Sequence, residues 1–134
     1  MKKVSVLVLG AGSRGNTYAA YSERFPEELD IVAVAEPVRE RREKFAGRYG
    51  IKGENCFPGW EEALAVPKLA DAVFVCTLDG MHTMPAVKAM ELGDDGMREK
   101  PMSNKEEECI AIERAARESG RILTVCHVLR YTPF

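Results

Sequence analysis

The stretch that decides the fold is Val4-Ser5-Val6-Leu7-Val8-Leu9-Gly10-Ala11-Gly12-Ser13-Arg14-Gly15. Its first six residues are short, apolar and rich in valine. They have no polar face, which is the pattern of a strand buried on both sides in a parallel sheet. The run stops at a glycine turn. Three further runs read the same way: Asp30–Ala35, Ala72–Cys76 and Arg121–Cys126. A fifth strand is expected between Gly93 and Pro101, although Asp94-Asp95-Gly96-Met97-Arg98 is polar and broken by glycine there.

Helical stretches lie between the strands. One is expected over Arg14 to about Arg24 and a second over Arg39–Tyr49, with Pro37 near its start and Gly50 at its end. A short helix is expected around Trp60–Leu64, and another over His82–Leu92, stopped by Gly93. The last is expected over Asn104–Ser119. Ser103 and Glu106 have capping-box spacing, Gly120 follows, and Cys109, Ile112, Ala115 and Ala116 recur at helical steps. The β-α-β-α-β order implies an α/β fold: a doubly wound parallel sheet in three α/β/α layers, with right-handed crossovers.

Size and charge narrow the function. The chain has 134 residues, enough for one domain. Its hydrophobic content is 46% and its charged content 30%, the balance of a globular protein rather than a disordered one. The formal net charge of −2 does not recommend nucleic acid as a partner. No apolar run reaches the length of a membrane span, and no signal-peptide cleavage site follows Leu9. Cys56, Cys76, Cys109 and Cys126 show no C-x-x-C spacing, so no metal site is expected and all four are read as reduced thiols in a cytoplasmic protein.

The first chemical signal is Gly10-Ala11-Gly12-Ser13-Arg14-Gly15, which fits G-x-G-x-x-G between a strand and a helix. The first glycine permits the tight turn, the second lets a pyrophosphate approach the backbone, and the third lets helix and strand pack closely. The start of the following helix offers unpaired N–H groups to phosphate. Glu36 is the second signal. It ends the second strand, 21 positions beyond Gly15, where a carboxylate accepts hydrogen bonds from an adenine ribose. A 2′-phosphate there would meet a like charge, so NAD is favoured over NADP. Arg39, Arg41 and Arg42 lie close by, however, and leave a phosphate partner available.

Loops at strand carboxyl ends should line the same crevice. Thr77 through His82 follow the third strand, with Asp79 able to cap the next helix and His82 either facing a cofactor or playing a structural part. Glu99-Lys100-Pro101 follows the weak strand, and a lysine there can donate to a substrate hydroxyl and stabilise a developing alkoxide. His127 and Arg130-Tyr131-Thr132-Pro133 follow the last strand, as rim residues or as an ordinary loop.

Taken in order, the glycine turn, Ala35-Glu36-Pro37, Thr77–His82, Glu99-Lys100-Pro101 and the closing Arg130–Pro133 resemble the N-terminal domain of the glucose–fructose oxidoreductase / inositol dehydrogenase / MocA family. The resemblance implies a nicotinamide-dependent oxidoreductase acting on sugars, cyclitols or related polyols. By it, Gly10, Gly12, Ser13, Arg14 and Gly15 hold the pyrophosphate and Glu36 the adenine ribose. Thr77, Asp79, His82, Glu99 and Arg130 join the cofactor site, and Lys100 is the catalytic residue. It also implies that a second domain, which builds the substrate pocket and carries a proton-transferring histidine, is absent from residues 1–134. The expectation is therefore an NAD-binding domain inactive toward sugar by itself, prone to self-association through surface the second domain would cover. A regulatory NAD-binding module and part of an NAD-dependent glycosidase of the same family stay open as alternatives. The sequence departs from the family at Asp94–Arg98, where a polar segment replaces the usual apolar strand.

Overall fold

The computed structural model describes residues 2–133, with the side chain of Asp79 outside the described residues. Six parallel strands form one sheet: β1 (Val4–Leu9), β2 (Leu29–Ala35), β3 (Cys56–Phe57), β4 (Ala72–Val75), β5 (Asp95–Arg98) and β6 (Leu123–Val125). Their spatial order is β3-β2-β1-β4-β5-β6. The chain winds outward from β1 in one direction, returns, and winds outward in the other. The direction reverses between β1 and β4, so the loops leaving these two strands splay apart at their carboxyl ends.

Alternation along β1 explains the two-sided core. Leu7 and Leu9 point into one layer with Ala33, Ala35, Val73 and Val75, beneath the helices α4 (Trp60–Leu64) and α5 (Thr83–Glu91). Val6 and Val8 point into the other with Ile31, Val34 and Phe45, beneath α1 (Ser13–Ala19) and α3 (Arg39–Tyr49). Each fully buried Val or Leu contributes about 1.5–3 kcal/mol. The register between β1 and β2 slips by one residue, from Val6↔Ile31 to Leu7↔Ala33, so Val32 bulges out.

Helices α3 and α6 (Glu106–Ser119) end on Gly50 and Gly120, both left-handed. The single helix expected over residues 14–24 is instead broken at Ala20 into α1 and α2 (Tyr21–Arg24). There the Ser22 hydroxyl donates to the carbonyl of Ala19 at 2.7 Å, in competition with the helical ladder. The expected capping box at α6 does not form. Ser103 Oγ accepts the Lys105 N–H at 3.1 Å and donates to Glu108 at 2.6 Å, and the helix begins at Glu106 rather than Asn104. The last strand is shorter than expected because it is the sheet edge: the Ile122 N–H goes to the Asp95 carboxylate at 3.0 Å. The polar segment does form β5, paired with β4 and β6. Gly96 suits it, since a Cβ there would stand 3.0 Å from Leu123 Cδ1.

Candidate dinucleotide site

The three glycines of the turn have different reasons to be glycine. Gly10 has φ +96°, and a Cβ on it would lie 2.5 Å from the carbonyl oxygen of Cys76. A Cβ on Gly15 would lie 2.0 Å from the carbonyl oxygen of Gly10. Both are required by the chain's own packing. A Cβ on Gly12 would meet nothing within 4 Å, and its backbone is one any residue adopts (φ −76°, ψ −161°). Nothing in the protein needs a glycine there; the open space on that side is where a ligand can reach the backbone. The first-turn N–H groups of Ser13, Arg14 and Gly15 have no partner four residues back in the helix, so they can donate to an anion.

A cavity of about 310 Å³ opens at the β1/β4 reversal, lined by Gly10, Gly12, Glu36, Trp60, Thr77 and Met81 among others. Glu36 is 5% exposed. Its Oε2 accepts the Ala11 N–H at 2.9 Å and its Oε1 accepts the Val38 N–H at 3.0 Å. The carboxylate thus ties the glycine turn to the start of the β2–α3 loop. Each oxygen still has a second lone pair, so the group can accept two further hydrogen bonds, the number a ribose diol offers. Of the nearby arginines, Arg39 pairs with Glu43 and Arg42 donates to the carbonyl of Glu36. Arg41 lines the cavity and also an adjoining groove with Ser13 and Lys44.

A second cluster sits at the end of β5. Glu99 is 5% exposed; its Oε1 accepts the Tyr18 hydroxyl and lies 3.7 Å from Arg14 Nε, while its Oε2 accepts the Lys100 N–H at 2.9 Å. Burial and then the bond to Glu99 push the Tyr18 phenol well above its ordinary range, so it stays a donor. The Lys100 side chain is exposed. Burial also pushes the Cys76 thiol up to about 12, which removes it as a nucleophile near neutral pH. All four cysteines stand as free thiols.

The expected site residues therefore divide. Gly10, Gly12, Glu36 and Thr77 share one cavity. Arg14, Glu99 and Lys100 form the neighbouring cluster. His82 does not face the crevice: it is 1% exposed, its Nε2 donates to the carbonyl of Thr77, and its Nδ1 has no partner. It fixes the β4–α5 loop from beneath. Arg130 is exposed on the turn Val128–Tyr131 and lines neither group. The side chain of Asp79 lies outside the described residues. Sequence reasoning missed Tyr18, Trp60 and Arg98. Tyr18 had a signal, since it lies three residues after Gly15 and one before Ala19, the buried positions of α1.

The strand order, the glycine turn and the acidic residue that follows β2 define a dinucleotide-binding domain of the Rossmann type. Residues 4–127 match the family model described as "Oxidoreductase family, NAD-binding Rossmann fold", and the chain belongs to that family as its NAD-binding domain. It is 30% identical over 131 residues to scyllo-inositol 2-dehydrogenase (NAD(+)) of Bacillus subtilis, covering 98% of this chain and 37% of that protein. The solved apo scyllo-inositol dehydrogenase of Lactobacillus casei superposes with a TM-score of 0.86 at 17% identity, over 98% of this chain and 38% of that one. The WlbA dehydrogenase of Bordetella pertussis, solved with NADH and UDP-GlcNAcA, gives 0.83 at 22%, over 92% and 35%. The chain thus spans little more than a third of the relatives it matches.

The residues present fit the cofactor the family takes. Gly12 leaves the room a pyrophosphate needs, and Glu36 keeps acceptor capacity beside it.

Proposed function

We propose that this chain is the cofactor half of a dehydrogenase that oxidises a hydroxyl group of a sugar or cyclitol, with NAD preferred over NADP. The observation that carries the reading is the pairing of the open side of Gly12 with the buried Glu36 at the sheet's point of reversal. A 2′-phosphate beside Glu36 would face a carboxylate held in place by two N–H groups, and Arg41 is the cavity arginine left to offset it. Bound NAD supplies the hydride acceptor. Lys100 donates to the reacting oxygen and stabilises the negative charge that grows there. Glu99, bonded to the Lys100 N–H and to Tyr18, fixes the backbone from which that lysine extends.

Calorimetric titration tests the cofactor reading. Wild-type chain should bind NAD more tightly than NADP, and Glu36→Gln should weaken NAD and narrow the gap. Equal affinity of wild type and Glu36→Gln for both dinucleotides would remove Glu36 from the site. Two coarser properties complete the proposal. Free thiols agree with a reducing cytoplasm. Leu129 and Tyr131, 73% and 88% exposed, provide apolar surface for self-association, checked by light scattering across a concentration series. Among the described residues no helix is long and apolar enough to cross a membrane.

A further inference from the structure

Arg98 is the largest fully buried side chain among the described residues. It is the last residue of β5, its backbone paired with Val75 on β4 and Val125 on β6. Its guanidinium turns back on its own chain: Nη2 donates to the carbonyl of Pro101 at 3.1 Å and Nε to that of Glu99 at 3.4 Å. These are the two residues that flank Lys100. Nη1 has no partner. No carboxylate is bonded to the guanidinium, although Glu108 on α6 is close enough to favour its charge. Burial pulls its pKa downward, the sign of an ion kept where water would serve it better. An apolar residue would fill this strand end without that penalty.

The other end of the same segment is fastened separately. Glu108 accepts from Ser103 Oγ at 2.6 Å and Thr83 Oγ1 at 2.8 Å, and pairs with Lys105 at 3.0 Å. Residues 99–105 are therefore pinned at both ends, by a cation on carbonyls and by an anion on hydroxyls and an ammonium. The exposed Lys100 side chain stands clear of these ties.

We infer that Arg98 is the positioning residue for Lys100, its fork holding the carbonyls on either side so that the lysine leaves the backbone in one direction. The inference rests on the proposed role of Lys100. A fork is needed because one ammonium cannot bond two carbonyls that face it from different residues with the same fixed geometry.

Two readouts on the full 134-residue chain test it. The first needs no cofactor: amide hydrogen exchange resolved by residue. Arg98→Met should speed exchange of the Lys100 amide at least tenfold while leaving the amides of β1 within twofold. Equal acceleration of both sets would mean Arg98 is only core packing and would overturn the inference, as would no acceleration at Lys100. The second is labelling of Lys100 by an amine-reactive reagent with and without saturating NAD. Wild type should be protected about fivefold or more, and Arg98→Met, with NAD affinity within twofold, should lose most of that protection. If Arg98→Met does not fold, Arg98→Lys takes its place. It should show faster Lys100 exchange and partial protection, and wild-type behaviour in both readouts overturns the inference. Wild-type Lys100 unprotected by bound NAD, with the exchange result as expected, would refute the catalytic placement of Lys100 and leave the clamp intact.

Discussion

Glu36 and Arg98 occupy equivalent places, each buried at the carboxyl end of a strand, and solve opposite problems. The anion sits on two backbone N–H groups and borders a cavity. The cation sits on two backbone carbonyls, borders no described cavity, and leaves one nitrogen unpaired. Both use the main chain rather than a counter-ion as partner, and both thereby fix the loop that follows. The difference is what each loop presents. On the proposed function, Glu36 presents itself, whereas Arg98 presents its neighbour, Lys100. A buried charge at a strand end can thus be the binding group or the frame for one, and its hydrogen bonds tell which.

The sharpest way to test the first region is to separate its glycines. Gly15→Ala would push a methyl group to within 2.0 Å of a backbone oxygen, and Gly10→Ala adds a positive φ to a 2.5 Å clash. Each should lower the unfolding free energy by about 3 kcal/mol or more, read as a severe fall in the urea midpoint, since backbone cannot yield as a side chain does. Gly12→Ala should keep the wild-type midpoint, and it should lose NAD binding by tenfold or more. Next in size is Glu36→Gln. Losing the charge from hydrogen bonds to bound hydroxyls costs about 1.5–3 kcal/mol, read by calorimetry as roughly ten- to hundredfold weaker NAD binding.

The second region is probed through pH. The Ser103 and Thr83 hydroxyls and then the Lys105 ammonium hold Glu108 at about 2, below the ordinary 4.5 of its carboxyl. Its contribution is full above about pH 4.5 and falls away as pH drops toward 2, because the unfolded chain takes up the proton first. Asp71, held at about 2 by the Ser5 N–H and hydroxyl and by Lys2, behaves alike at the opposite end of the sheet, between about pH 3.8 and 2. Denaturant midpoints measured from pH 5 to 2 should therefore flatten partly in Glu108→Gln and partly in Asp71→Asn. Only Glu108→Gln should also speed amide exchange in residues 99–105. The smallest effect belongs to the exposed Arg39–Glu43 pair: Arg39→Ala should leave stability and NAD affinity unchanged within error.

These contrasts also mark what could be read from sequence. The strand at Val4–Leu9, the glycine turn and Glu36 were legible because each depends on local spacing, and the sheet places them as spacing implies. The two-residue β3 carries too short a pattern to announce itself. β5 was obscured because two of its residues do polar work: Asp95 accepts the Ile122 N–H and Arg98 grips the following loop. His82 follows a strand's carboxyl end, where local sequence leaves both a cofactor-facing and a structural part open. Its ring is instead drawn inward by the carbonyl of Thr77, a contact set by how the loop folds back. Tyr18 depends on a partner 81 positions away, a pairing that local spacing does not carry.

The central claim is that the backbone at Gly12 is left bare for a dinucleotide. Calorimetric titration of NAD into wild type and Gly12→Ala, with urea midpoints on the same preparations, tests it most directly. Equal stability and a loss of NAD affinity of at least tenfold are expected. Unchanged affinity in a fully folded Gly12→Ala chain would contradict it.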